Sequence, residues 1–387
     1  MDFSLNDDHL ALRDAVQRFC AGEYPAEHRG NPETPAQAAQ RWSAMAELGL
    51  LGLPFAADVG GSEQGPVEVM LVAQELGHAL GGGAFVSSTV LAGQLLARLG
   101  TPAQQRQWLP LLVSGQLQLA VALYEDGARY DWQRVETRAK VTPQGHVLNG
   151  RKTLVLQGDT AGLLLVVART AGDIADRSGL TVLAVDANAP GVQVQGFDTL
   201  DGRRAAHITF TEVAVDADRV LGTPGQASNA VEAALDAAIA ALCAEAVGAV
   251  GALLAHTAEH LRTRKQFGAP LAKFQVLQHR MADMVIALEQ LKSMACAAAM
   301  AVEAGDAAQR RRLVSAAKVL VSQQGRQIGL WAIQLHGAMG MTDECRVGHY
   351  AKRLIVIGQL FGDAAWHLQK VAQAASGAHG RVAGQCA

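Results

Sequence analysis

The sequence predicts an α+β protein in which two helical regions flank a β region. Three observations carry this. Apolar residues recur at helical spacing through the first 116 residues. From about Leu117, runs of Val, Leu, Thr and Ile alternate with Gly, Asp and Pro turns. After Gly225 the helical pattern returns and holds to about Ala375. The expected domains are an N-terminal helical domain over 1–116, a middle β-barrel or sandwich over 117–224, a C-terminal four-helix bundle over 225–376, and a flexible tail over 377–387.

Each element follows from a local signal. Asp7 and Asp8 are placed to cap a helix whose apolar positions are Leu10, Leu12, Val16 and Phe19. Further helices are expected over Pro35–Glu47, Val67–Leu80 (ended by three glycines), Ser87–Leu99 and Pro102–Val113. Strands are expected over Val147–Leu156, Gly162–Arg169, Leu180–Asp186, Val192–Phe197 and Ala205–Val215, with Asn149-Gly150 a turn signal that reads the first run as a hairpin. Breaks near Gly268–Pro270, Gly305-Asp306 and Gly337–Thr342 divide the last third into four long helices, as in an antiparallel bundle.

Composition excludes several classes. With 33 Lys plus Arg against 36 Asp plus Glu, the net charge is −3, which argues against a nucleic-acid partner. The five scattered cysteines contain no CxxC pair and read as free thiols of a reducing, cytoplasmic setting. The N-terminus lacks the basic and apolar regions of a signal peptide. Asp236 and Glu245 interrupt the apolar helix around Ala233–His256, so no membrane span and no membrane partner are expected. No GxGxxG follows a strand, which argues against a Rossmann dinucleotide site.

The most informative segments are Arg264-Lys265-Gln266-Phe267-Gly268 and Gln334-Leu335-His336-Gly337-Ala338-Met339-Gly340. Taken singly, Arg264 complements a helix dipole, and Gly268 and Gly337 are ordinary C-caps. Together and in this order they resemble the flavin-binding signature of the acyl-CoA dehydrogenase family. Shorter phrases share the likeness, among them Leu48–Leu53, Gln74–Gly77 and Leu109–Gly115. The resemblance covers nearly the whole chain and implies an acyl-CoA dehydrogenase-like fold, an FAD cofactor and an acyl-CoA substrate. It implies that Arg264, Gln266, Phe267, Gln275, Gln334, Gly337 and Gly340 contact the pyrophosphate and adenine part of an FAD bound mainly by a neighbouring subunit. The chemistry suits that role. Arg offers a planar fork of donors for pyrophosphate oxygens. Glycines let a backbone approach phosphates, and a helix N-terminus after Gly340 would add a favourable dipole. Ala338 stands where the family usually has a second glycine.

The same resemblance exposes losses. The family removes the α-proton of an acyl-CoA with a carboxylate while the β-hydride goes to flavin N5. The position of that carboxylate falls on Phe361, and its alternative on an earlier helix falls on Ala238, with Ile239 in place of a neighbouring Arg. Neither side chain accepts a proton. Asp363 is a nearby acid, but also the natural cap of a helix starting near Ala364. The family's flavin-bonding Thr falls on Tyr124, its CoA-contacting Ser on Tyr130 and its ring-stacking Trp on Leu154, whereas Glu125 is kept with a structural role.

Residues offered to a neighbour's FAD are thus kept, and residues serving the chain's own flavin ring and base are altered. This implies a subunit of a heteromeric acyl-CoA dehydrogenase, similar to small subunits of the pimeloyl-CoA dehydrogenase type. The partners implied are acyl-CoA, a catalytically complete homologue in a hetero- or homo-oligomer (a dimer of dimers), and an electron-transfer flavoprotein. The alternatives are a self-sufficient dehydrogenase with a non-standard base, a flavin monooxygenase on the same fold, or a structural member without flavin. Elsewhere, His256-Thr257-Ala258-Glu259-His260 matches the HxxEH zinc pattern but lacks an acidic third ligand, so an exposed polar helix face is expected and no metal.

Overall fold

A computed structural model describes residues 5–25 and 33–383, with side chains to residue 375. In chain order the helices are α1 (Asp7–Glu23), α2 (Pro35–Glu47), α3 (Pro66–His78), α4 (Gln94–Leu99) and α5 (Pro102–Val113). Strands β1 (Leu119–Ala122), β2 (Arg138–Thr142), β3 (Gly145–Leu156), β4 (Leu163–Arg169), β5 (Leu180–Asp186), β6 (Val192–Asp198), β7 (Arg204–Asp216) and β8 (Val220–Leu221) follow. The last region holds α6 (Ser228–Thr263), the short pair β9 (Lys265–Gln266) and β10 (Ala269–Pro270), α7 (Gln275–Glu303), α8 (Ala307–Leu320), α9 (Arg326–His336), α10 (Arg346–Gln359) and α11 (Ala364–Ala383). This is the expected order of helices, sheet and helices.

The described chain forms two compact units. One comprises Met1–Asn31, Pro66–Gly82 and Ile239–Ala387, the other Pro32–Gly65 and Gly83–Ala238. In the second unit, α2 and α5 begin with matching devices. Thr34 and Thr101 accept from the backbone three residues on, Gln37 and Gln104 reach back, and Pro35 and Pro102 open the helices. Before α4, Phe85–Gly93 is wound as a fully buried π-helix, where Ser88 Oγ accepts the Leu119 amide at 2.8 Å. The sheet runs β6-β7-β3-β2-β4-β5-β8, with β1 parallel to β4. Residues from both arms share one core, including Leu148, Ile208 and Phe210 on one side and Leu164, Val166 and Leu183 on the other.

The cation Arg169, with no exposed surface, donates to the carbonyls of Gln133, Val135, Ala171, Ile174, Asp176 and Ser178. Those six acceptors fix the loops on either side of β4 and leave few of its donors unpaired in a dry interior.

In the first unit α3 crosses α6 at glycines. A Cβ on Gly77 would overlap the Glu245 carbonyl, and one on Gly248 the Gln74 carbonyl. Gly248→Ala is therefore expected to destabilise the chain by about 1–3 kcal/mol. Gly251→Ala, where nothing lies within 4 Å, is expected to be neutral or to gain up to about 1 kcal/mol of helix propensity. Thermal midpoints of the two variants compare them directly; equal midpoints would contradict the close crossing.

Several expectations need correction. The cap of α1 is Asn6, which accepts the His9 amide at 2.8 Å, and Asp7 and Asp8 lie in the first turn. Asn149-Gly150 is not a turn. It lies inside β3 at a bulge, where Asn149 pairs with Glu212 across the ladder. The turn instead joins Thr142 to Gly145. Strands β1, β2 and β8, of four, five and two residues, are additional to the expected ones. The fourth bundle stretch is two helices, α10 and α11, broken at Phe361, whose φ is +59°. Helix α11 runs past residue 376 to Ala383, and residues 384–387 of the expected tail lie outside the described residues. Helices α6 and α7 are also long and apolar enough to cross a membrane, against the reading that no stretch is. The apolar window of α6 is 94% buried within the protein, as in a core helix.

Candidate functional site

Helix α6 ends at Thr263, and the next residues form a two-residue hairpin, β9 against β10. Phe267 (φ +51°) and Gly268 (φ +78°) occupy its central positions, the signature of a type I′ turn. The turn lifts Phe267 to 88% exposure. Phe274 meets it edge-on at 6.0 Å. Arg264 at the root of the hairpin is exposed, and its carbonyl accepts the Leu271 amide at 2.9 Å. Gln266 is likewise exposed, and Gln275 opens the 29-residue α7. Its N-cap, Phe274, gives no side-chain bond, so a long helix presents uncapped amides beside Arg264's hairpin.

The second motif closes α9. Gln334 is exposed in the last turn, and Gly337 (φ +64°) starts a 3-10 turn over Gly337–Met341. A Cβ on Gly337 would meet nothing within 4 Å, so that backbone is open to an approaching group. Gly340 is closed: its Cβ would stand 2.7 Å from the Ile333 carbonyl, so this glycine serves the turn itself. No α-helix begins directly after Gly340, as the sequence had suggested; the next one starts at Arg346. The two motifs meet through His260 and His336, whose rings stack at 4.3 Å and 25°. A second tie joins α7 to α9, with Arg280 over the Trp331 ring at 4.5 Å. An exposed Arg, open glycine backbone and an uncapped helix start on one unit fit the pyrophosphate of a dinucleotide.

Phe361 is 8% exposed at the break between α10 and α11. The buried Lys318 donates to the carbonyls of Ile357 and Gly362 at 2.6 and 2.9 Å, bracketing Phe361. Burial pushes the Lys318 ammonium down to about 8. His367 meets the Phe361 carbonyl and the Ser315 hydroxyl, each at 3.1 Å, and burial is the first cause lowering it to about 3. Its imidazole is therefore neutral, with Nε2 donating to the carbonyl. Asp363 accepts the Trp366 amide at 2.9 Å as the cap of α11, so its carboxylate is engaged in helix capping. Ala238, where the resemblance put the alternative base, has no exposed surface.

Sequence reasoning missed one buried charge pair. Arg353 on α10 meets Glu245 on α6 through two bonds of 2.7 and 2.8 Å. Along the sequence Glu245 only interrupts an apolar helix, and its partner lies 108 residues away.

In the other unit, Glu125 accepts the amides of Glu136 and Thr137 and the ammonium of the fully buried Lys152, at 2.6, 3.1 and 2.6 Å. That is the structural role expected for it. The Lys152 charge and these bonds hold Glu125 below the usual carboxylate range against its desolvation, whereas burial lowers Lys152 to about 8. Burial, then Tyr130 and Asp131, raises the Tyr124 phenol. Leu154 is a left-handed residue (φ +49°) at a β3 bulge and is 39% exposed, with no aromatic face to offer a flavin.

The HxxEH histidines engage separate partners: His256 packs against the Tyr350 ring, and His260 against His336. No cluster of three His, Cys, Asp or Glu suited to a metal occurs among the described residues.

Comparison with known proteins gives the class. Three family models match in succession: acyl-CoA dehydrogenase N-terminal domain over residues 6–116, middle domain over 120–215 and C-terminal domain over 228–376. They define a flavin-dependent oxidoreductase acting on CH–CH bonds. The chain belongs to the acyl-CoA dehydrogenase family. It is 27% identical over 366 residues to the probable acyl-CoA dehydrogenase YngJ of Bacillus subtilis, covering 93% of this chain and 96% of that one. A variant of the Tcur3481–Tcur3483 steroid ACAD is 27% identical, with a TM-score of 0.86 and coverage of 97% and 100%. The FAD complex of PigA shares the fold, with a TM-score of 0.89 at 23% identity and coverage of 96% and 98%.

Proposed function

We propose that this chain is the base-less subunit of a heteromeric acyl-CoA dehydrogenase and completes the FAD site of a catalytic partner. The observation that carries this is Phe361. The sequence resemblance puts it at the family's base position, and its ring is buried at a corner where Lys318, His367 and the Asp363 cap occupy the nearby polar groups. A lost general base costs roughly 10²- to 10⁴-fold in rate. Arg264, Gln266, Phe267, Gln275, Gln334 and Gly337 would hold the pyrophosphate and adenine end of the partner's FAD, and Gly340 would shape the turn. Bound FAD supplies the acceptor for the substrate's β-hydride. Arg264 would neutralise phosphate charge and the α7 amides would add donors. On the chain's own side, Tyr124, Tyr130 and Leu154 fit a flavin ring poorly.

Support for the heteromer comes from exposed apolar side chains around the half-site, with Phe267 at 88%, Met341 at 75% and Val276 at 68%. It also comes from the relative whose name joins Tcur3481 and Tcur3483. We keep 1–116, 117–224 and 225–376 as the proposed domains, acyl-CoA as the substrate class, an electron-transfer flavoprotein as the onward acceptor and the cytoplasm as the setting.

The test is the absorbance spectrum of the purified chain, alone and coexpressed with a catalytically complete homologue. The expected result is a colourless chain and a yellow heteromer that acyl-CoA bleaches. A chain that alone holds FAD and is bleached by acyl-CoA would falsify the proposal. In the heteromer, Arg264→Ala removes charge-assisted bonds of about 1.5–3 kcal/mol and is expected to weaken FAD binding roughly 10- to 100-fold. Flavin fluorescence released on dilution reads this out.

A further inference from the structure

Resting on that reading of the half-site, we propose that the His260–His336 ring stack is the joint that sets the Arg264–Gly268 hairpin against the Gly337–Met341 turn, which makes both imidazoles positioning residues for FAD. Residues 262–268 are all exposed, so the hairpin has little packing of its own to fix its angle. Its root hangs from α6 by the Arg264 amide, which donates to the His260 carbonyl at 2.9 Å. His260 is thus both the backbone anchor of the hairpin and one half of the stack.

The other half is held from two sides. His336 Nδ1 donates to the Ala332 carbonyl at 2.8 Å, which fixes its ring and tautomer. Gly340 folds over it so closely that an added Cβ would stand 3.1 Å from His336 Cβ. The residue after His336 is Gly337, the open-faced glycine of the cradle. One ring contact therefore ties the cationic and glycine halves, which are far apart in sequence and must grip a single pyrophosphate together. Burial lowers both imidazoles from their ordinary value, which keeps the stacked rings neutral beside Arg264.

The experiment compares wild type, His260→Ala and His260→Phe. FAD dissociation constants are measured on heteromers with a catalytically complete homologue. Amide hydrogen exchange at Arg264 and Leu271 is measured on the chain alone. Loss of a ring pair is expected to weaken FAD about tenfold in His260→Ala. His260→Phe keeps a ring at the same place and is expected to restore binding to within about twofold of wild type, which mere loss of helix stability does not predict. Exchange at both amides is expected to quicken in His260→Ala alone. Wild-type FAD binding by His260→Ala, or equal weakening by His260→Phe, overturns the joint. If the wild-type heteromer holds no FAD, the half-site reading fails by itself. The exchange arm then still decides the joint, since unchanged exchange in His260→Ala overturns it.

Discussion

Glu245→Ala is expected to lower the chain's stability by about 3–5 kcal/mol, because it takes the two-bond carboxylate partner away from the buried Arg353 guanidinium. The side chains of Arg353 and Glu245 are 5% and 3% exposed, and their two parallel bonds are the fork geometry that suits Arg to a carboxylate. The pair itself contributes little net stability, since desolvating two charges consumes most of the attraction between them. Removing one partner forfeits the attraction and leaves the desolvation cost. Replacing both together, as in Glu245→Leu with Arg353→Met, is therefore expected to fall within about 1–2 kcal/mol of wild type or above it. Urea midpoints for the two single variants and the double variant form the test. A Glu245→Ala cost below about 1 kcal/mol would mean that the guanidinium finds water or another acceptor when the carboxylate is gone. The pair also matters for where it acts. It fixes which turn of α10 faces α6, and α10 ends at the corner that carries Phe361.

Acid is expected to loosen that corner through His367. Its unfolded value is the ordinary 6.5, and burial, followed by the Lys318 and Lys370 charges, lowers the folded value to about 3. Between these values the unfolded chain binds a proton that the folded chain refuses. The contribution of neutral His367 is thus fully present above about pH 6.5 and is lost as pH falls toward 3, at up to about 1.4 kcal/mol per unit. His367→Gln removes the titration. The expected result is a shallower fall in unfolding free energy between pH 6.5 and 4.5 than wild type shows. Equal slopes would mean that the imidazole takes up its proton as readily in the folded chain as in the unfolded one.

These two predictions separate what could be read along the chain from what could not. The capping boxes at Thr34 and Thr101, the prolines that follow them and the turn glycines act within three or four residues, so α2 and α5 were legible to the residue. Strand β5 was too, because six apolar or β-branched residues, Leu180 to Val185, run between turns. Local signals misled where a distant group decides. Asn149-Gly150 has turn chemistry, yet Glu212 on a neighbouring strand captures the Asn side chain and the strand runs through. The motif residues of the half-site were legible as motifs, but not the I′ hairpin that raises Phe267, nor the stack that unites the two motifs.

The sequence by itself determined the family and the α-β-α order, and it supplied the residues from which the flavin half-site and the loss of the base at Phe361 are proposed. Each of these is written in residue identity at short spacing. The tertiary structure alone decided the Glu245–Arg353 pair, the carbonyl cage of Arg169, the break at Phe361 and its bracing by Lys318 and His367. Each depends on which helix or loop faces meet. A polar side chain in an apolar stretch shows only that a partner is required, and the partner is chosen by packing across the core.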